Sequence, residues 1–438
     1  MDEKYLHDWS GTHYGTPLSV DVPQSVAEVE RLVRRYHDHR QPVAIQGGRT
    51  GVSGGAAPGD GEVVLSLERL NQIEEFDLRA GLVVVGAGVI LEDLQRVVEA
   101  EGWSFPLDLG SRGSCQIGGN IATNAGGSRV VKYGTTRSSV LGLEAVLGDG
   151  TVIGPPNRML KNNAGYSLAS LMVGSEGTLG IITRAALRLV PLAPMLRTAM
   201  LALAPSASIG ELLHGCRRRL RDSLSAFEVM WPDYVAGAIA AGAGRELPPA
   251  FANARVVLIE VEGTDNESLS AQLESVLGEL LDSALLTDVV LSNSARDAAD
   301  LWRIREAVAE IQAEIRPYVG FDLSIALSDF DEFVVRAKNA LNERTPELQS
   351  FFFGHAGDSN LHAVVGPCTS AATREIVEDT IYSLLTPLST SVSAEHGIGR
   401  KKKRYLSQSR SAAEIDAMRR LKATFDPHLI LNRGRVFD

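Results

Sequence analysis

PVAIQGGRTGVSGG, residues 42–55, runs an apolar strand straight into a glycine-rich loop. Consecutive glycines after a strand expose backbone N–H groups as a concave anion nest, because glycine tolerates the positive φ that such a nest requires. Gly47, Gly48, Gly51 and Gly54, with Arg49 and the hydroxyls of Thr50 and Ser53, are candidates for cradling a pyrophosphate. No GK[ST] follows and the GxGxxG spacing is absent, so neither common nucleotide fingerprint applies. One such loop alone more often means a run of tight turns. Two more clusters, SCQIGGNIATNAGG (114–127) and VGSEGTLGIIT (173–183), also sit at strand ends. Together the three predict an extended ligand, with Asn120, Thr123 and Asn124 as partners for a heterocycle or a ribityl chain.

Around these loops the first third alternates strand and helix. Ser25 and Glu28 form a capping box, and Val26, Val29, Leu32, Val33 and Tyr36 recur at helical spacing. EVVLSL (62–67), LVVVGAG (82–88) and VLGLEAVLGDG (140–150) read as strands, and LEDLQRVVEAEG (91–102) as an amphipathic helix. After Pro191 and Pro194 the pattern changes to apolar strands between long helices, including ARDAADLWRIREAVAEIQAEI (295–315) as one helix. This predicts a separate α+β domain, with the tail returning to the first. The expected domains are 1–194, 195–390 and a closing segment, 391–438. At 438 residues the chain exceeds a single core. A net charge of −11 argues against general nucleic-acid binding. No secretory signal or bilayer-length apolar run is visible, and Cys115, Cys216 and Cys368 are scattered, which predicts a cytoplasmic protein with buried reduced thiols.

Near the C-terminal end, FFFGHAGDSNLHAVV (351–365) reads as a hairpin and SAEHGIG (393–399) follows it. A four-residue loop at 357–360 would set His355 directly opposite His362 on one sheet face. His355, His362 and Glu395 form a ligand set for a divalent transition metal, with His396 as a candidate base. The plainer meaning is a hairpin with two satisfied histidines.

QGGRTGVSGG (46–55), PLDLGSRGSCQIGGNIATNAGG (106–127), YGTTRSSVLGLEAVLGDG (133–150) and NAGYSLASLMVGSEGTLGIIT (163–183) resemble the FAD-binding domain of the vanillyl-alcohol oxidase (PCMH) superfamily. LWRIRE (301–306), GHAGDSNLH (354–362), SAEHGIG and FDPHLILNRGRVF (425–437) resemble the FAD-dependent D-2-hydroxyacid dehydrogenases, such as the D-lactate and D-2-hydroxyglutarate enzymes. The resemblance implies an α+β protein. Two α/β subdomains would hold FAD, and a substrate (cap) domain would carry a large antiparallel sheet flanked by helices. It places Gly47, Gly48, Arg49, Thr50, Gly51, Ser53 and Gly54 on the pyrophosphate. Pro106, Asp108, Ser111, Ser114, Gly118, Gly119, Asn120, Thr123, Asn124, Gly126, Gly127, Glu176, Gly177, Gly180, Ile181 and Ile182 would line the rest, with Asn432 near the flavin. Arg49 stands where many relatives have a third glycine. No His or Cys occurs in the 47–55 loop, so the resemblance implies non-covalent FAD.

The implied reaction is oxidation of a 2-hydroxy acid, with the C2 hydride passing to FAD. A divalent ion on His355, His362 and Glu395 (zinc, manganese or iron) would acidify the hydroxyl, and His396 would take its proton. Arg305 matches the family's carboxylate clamp, whereas Arg303, about 200° round the helix, reads as an ordinary surface arginine. Glutarate-type members hold the distal carboxylate with Thr, Lys and Asn. The matching substrate-binding positions here are Ala309, Gly320 and Val364. An apolar-tailed acid such as D-lactate is therefore expected, with D-2-hydroxyglutarate or glycolate as alternatives. The partners expected are this small acid, an electron acceptor (electron-transfer flavoprotein, quinone or cytochrome) and a second copy in a homodimer. The basic run 400–404 is either solvated, or steers anionic substrates or meets an acidic redox partner, and CRRRLR (216–221) reads as surface. Two rivals are a non-redox flavin-dependent transferase of the same superfamily and a non-catalytic flavin or metal carrier.

Overall fold

The computed structural model describes residues 2–387 and 389–437. Its contacts divide the chain into two compact units, one of residues 1–127, 134–192 and 395–438, the other of 128–133 and 193–394. The breaks fall within four residues of positions 194 and 390. The short segment 128–133, which sequence reading left in the first domain, groups with the second unit.

In the first unit Val43–Gln46 and Ser19–Asp21 flank Val63–Ser66 in a parallel three-stranded sheet. A second, antiparallel sheet orders Ile73–Asp77, Leu82–Gly86, Ile181–Arg188, Val140–Val146 and Val152–Ile153. Val63–Ser66 and Leu82–Gly86 are buried along their whole length, which is why each reads as an uninterrupted apolar run rather than an alternation. Helix Val26–Asp38 starts at Ser25, whose side chain accepts from Glu28 N, but Glu28 Oε2 takes Gln24 N at 2.8 Å. The reciprocal half of the expected capping box has thus moved one residue upstream.

The tail returns to this unit through helix Ala412–Phe425. Lys422 is buried there and donates to Asp426 Oδ2 at 2.5 Å, Thr178 O at 2.7 Å and Leu431 O at 2.6 Å. Burial pulls its ammonium pKa down and the Asp426 carboxylate opposes that. Removing the cation leaves a carboxylate that is 0% exposed with the Ile430 and Leu431 amides but no counter-charge from position 422. Lys422→Met is expected to cost about 3–5 kcal/mol, read as a lower urea midpoint at unchanged slope; a midpoint equal to wild type would show the pair to be idle.

The second unit is built on a seven-stranded antiparallel sheet in the order Leu286–Leu291, Met195–Leu203, Val256–Gly263, Leu224–Met230, Gln349–His355, Asn360–Gly366, Val319–Ser324. Helices Pro232–Ala240, Ala295–Glu306 and Val308–Glu314 pack on one face through Met230, Tyr234, Leu301, Ile304, Ile311, Phe353 and Val364. The single helix expected over 295–315 breaks at Ala307. Just before the break, the Arg305 carbonyl accepts from the buried Tyr234 hydroxyl at 2.7 Å. All three cysteines are buried and free.

Candidate active site

Two sets of residues matter, one in each unit. In the first, a groove of about 410 Å³ is lined by Gly47, Gly48, Arg49, Thr50, Gly51, Ser53, Ser111, Gly118, Gly119, Asn120, Thr123, Gly126, Glu176, Gly177, Gly180, Ile182 and Asn432, together with Glu395 and His396. A more open cavity of about 810 Å³ shares Trp9, Gly48, Arg49 and Gln116 with it and also includes Ser114. The combined trough suits a long ligand. Gly48 shows why glycine is needed at the loop, since a Cβ there would lie 2.2 Å from Ser114 O. Gln116, which sequence reading passed over, lines both cavities, and its buried Oε1 has no hydrogen-bond partner. A cradle of close-approach glycines with an unsatisfied amide oxygen fits the dinucleotide that the loops predict.

Several assigned residues have other duties. Ile181 is fully buried in the core, because strand alternation turns it away from the groove that Ile182 lines. Gly54, Pro106, Asp108, Asn124 and Gly127 are not among the lining residues. Asp108 pairs with Arg112 at 2.6 Å, Asn124 accepts from Arg137 N at 3.0 Å, and Gly127 permits close packing on Asp108 O. Ser53 Oγ, expected on a phosphate, donates to His396 O at 2.9 Å and Gly397 O at 3.1 Å. The Glu176 carboxylate accepts from Ile398 N at 2.7 Å and Gly399 N at 2.8 Å. Burial raises its pKa, and the two amides oppose the rise. Asn432 ties Ile45 N to Glu176 O. The loop glycines thus line the groove while Ser53 and Glu176 anchor the turn that carries His396.

The basic run after that turn is not a free patch. Arg400 reaches Glu62 at 3.2 Å and stacks on Tyr14, Lys401 donates to Ser10 O at 3.0 Å, and Lys402 is buried. Steering by this run as a whole is set aside.

In the second unit the hairpin forms with a register two residues from the expected one. His355 faces Asn360, and His362 faces Phe353. The turn is Ala356–Ser359 rather than 357–360, closed by Ser359 in the left-handed region at φ 70°. Asn360 opens the returning strand because its amide bonds Asp322 Oδ1 at 3.0 Å and Leu323 O at 3.1 Å. A two-residue shift keeps side-chain parity, so both imidazoles remain on one face, with ring centroids 5.2 Å apart.

Behind the rings stand two carboxylates that sequence reading missed. Glu228, 1% exposed on strand Leu224–Met230, meets His355 Nδ1 through Oε1 at 2.8 Å and accepts from Arg305 Nε through Oε2 at 2.8 Å. Burial works against its ionisation, but the charges and hydrogen bonds of His355 and Arg305 outweigh that and hold its pKa below the usual range. Asp322 lies 4.0 Å from His362 Nδ1. Imidazoles backed by carboxylates are a donor set that suits a divalent transition metal. Arg305 is 6% exposed and lies over the Phe353 ring at 4.9 Å, whereas Arg303 is exposed and pairs with Asp300. Arg217, within the run read as surface, donates to Gly357 O at 2.7 Å and braces the hairpin turn. On the imidazole face Gly320 stands opposite the buried Val364; Ala309 lies on the exposed side of its helix.

Residues 17–154 match the FAD binding domain and residues 195–436 the FAD linked oxidases, C-terminal domain. A protein of Xanthomonas citri pv. viticola called D-2-hydroxyglutarate dehydrogenase is 39% identical, covering 100% of this chain and 92% of its own. The mitochondrial D-2-hydroxyglutarate dehydrogenase of Bos taurus is 37% identical over 97% of this chain and 78% of its own. Among solved structures, p-cresol methylhydroxylase with bound substrate superposes with a TM-score of 0.77 at 17% identity over 96% of this chain and 88% of that one. Alkyldihydroxyacetonephosphate synthase gives 0.72 at 18% over 94% and 76%. At such identities the two structures speak for the fold alone. Full-length similarity of this degree, with both domain matches in order, places the chain in the FAD-dependent D-2-hydroxyacid dehydrogenase family.

Proposed function

We propose that this protein oxidises an apolar-tailed D-2-hydroxy acid, such as D-lactate, to the 2-oxo acid. The observation that carries the reading is the apolar end of the imidazole face, where Gly320 and Val364 face each other beside Asp322 and His362. Val364 belongs to the apolar cluster, and a side chain at Gly320 would meet only Tyr318, at 3.9 Å. A second carboxylate placed there would have no cation or amide supplied by these positions, so nothing in them offsets the loss of its hydration.

The residues then divide the work. Arg305 offers a planar donor fork to the substrate's carboxylate, set by Glu228. His355, His362 and Glu395 would hold a divalent ion, of which zinc, manganese and iron all suit the donors. That ion supplies Lewis acidity to a bound hydroxyl. His396 takes the hydroxyl proton. The glycine-lined groove would hold FAD non-covalently, and the cofactor would supply the hydride-accepting chemistry. Among the described residues no helix is long and apolar enough to cross a membrane. A homodimer and a cytoplasmic setting remain part of the reading, with an electron-transfer flavoprotein, quinone or cytochrome as the final acceptor.

The second reading is D-2-hydroxyglutarate oxidation, favoured by the names of the two relatives. Anaerobic flavin bleaching across a panel of D-acids separates the two. The first reading expects D-lactate or a branched D-hydroxy acid to exceed D-2-hydroxyglutarate at least tenfold in kcat/KM, about 1.4 kcal/mol. A preference for the five-carbon diacid would establish the second. No bleaching by any D-acid would sink both and favour a transferase or carrier.

A further inference from the structure

We propose that Glu228 is the positioning residue of the centre, one carboxylate that sets both the tautomer of His355 and the angle of Arg305. This role rests on the metal reading above and on geometry within the second unit. His355 Nδ1 lies 2.8 Å from both Oε1 and Oε2, while Oε2 also accepts from Arg305 Nε at 2.8 Å and lies 2.7 Å from Nη2. A carboxylate only accepts, so Nδ1 must carry the ring proton, and the lone pair available for coordination is then on Nε2. The same carboxylate takes the Nε–Nη2 edge of the guanidinium and so fixes the plane in which the fork lies. Its side chain is 1% exposed and that of Arg305 is 7%, so water does not substitute for either contact. Glu228 is the single charge in LSAFEVM, a strand buried at every position. A merely structural carboxylate there would need one partner; this one has two, each with a chemical assignment of its own.

Glu228→Gln tests this without changing shape. If the amide oxygen keeps Arg305, the amide NH₂ faces Nδ1 and drives the ring proton to Nε2, the wrong tautomer for coordination. If the amide turns round, its donor confronts Arg305 instead. The FAD-loaded protein is stripped with a chelator and titrated with Zn²⁺ against a chromophoric competitor, a readout independent of turnover. The variant is expected to bind Zn²⁺ about 10–100-fold more weakly than wild type, with a raised KM for the hydroxy acid and an unchanged circular dichroism spectrum. Equal Zn²⁺ affinity in the two proteins would overturn the inference while leaving the metal reading intact. Failure of wild type to bind Zn²⁺, Mn²⁺ or Fe²⁺ would remove the metal reading and the inference with it. Should the variant unfold because Arg305 is left charged, the neutral pair Glu228→Gln/Arg305→Gln restores charge balance. Zn²⁺ binding by that pair at wild-type strength would show the carboxylate to be only a counter-ion, whereas weakened binding in a folded pair supports tautomer control.

Discussion

His396→Ala is expected to keep its FAD and lose about 10²–10⁴-fold in the rate of anaerobic flavin reduction, the usual contribution of a positioned general base. His396 lines the groove of the first unit on a turn with little freedom. Its own carbonyl accepts from Ser53, and the amides two and three residues on are held by Glu176. A Cβ at Gly397, where φ is 74°, would lie 2.8 Å from the Glu176 carboxyl carbon, so the turn is closely fitted as well as hydrogen-bonded. Truncating the ring removes the proton acceptor and leaves these backbone contacts in place. FAD content and the visible spectrum should therefore stay as in wild type. Added imidazole should restore part of the rate by supplying the missing base. A reduction rate within a few-fold of wild type would remove His396 from the chemistry.

Arg305→Met should lower kcat/KM by about 10²–10³-fold, equivalent to roughly 3–4 kcal/mol at tenfold per 1.36 kcal/mol, and should destabilise the protein as well. Met keeps most of the apolar volume over Phe353 but takes the guanidinium away from Glu228 Oε2. Breaking one side of a buried ion pair costs about 3–5 kcal/mol, read as a lower denaturation midpoint. Lys at 305 should recover part of the stability and little of the rate, because an ammonium lacks the planar fork. Arg303→Met is the matched control, since that side chain is 65% exposed and pairs only locally with Asp300. It should change stability by less than about 0.5 kcal/mol, as surface substitutions usually do. Equal losses for the two variants would mean that the clamp assignment rests on helix content and not on position 305.

Much of this was legible in the residues themselves. The glycine loops announce positive φ and close backbone approach, and Gly48 against Ser114 bears that out in space. Both histidines had to share a sheet face because strand side chains alternate with period two, so the register error of two residues moved the partners without moving the face. Arg303 and Arg305 separate by helical angle alone into an exposed and a buried side chain. Other features were not legible. Glu228 is visible in LSAFEVM as a lone acid among apolar residues, yet its partners lie 77 and 127 positions away. Arg217 looks like any surface arginine until the hairpin turn, 140 residues on, presents Gly357 O. Ser53 has the right hydroxyl for a phosphate and spends it on the turn that carries His396. Local conformation, face and fold class were determined by neighbouring residues, because torsional preference and side-chain period act over a few positions. Which charge meets which was decided only when strand Leu224–Met230 came to lie beside Gln349–His355. Many acids and bases in one chain are chemically interchangeable as partners, and strand order alone makes the choice.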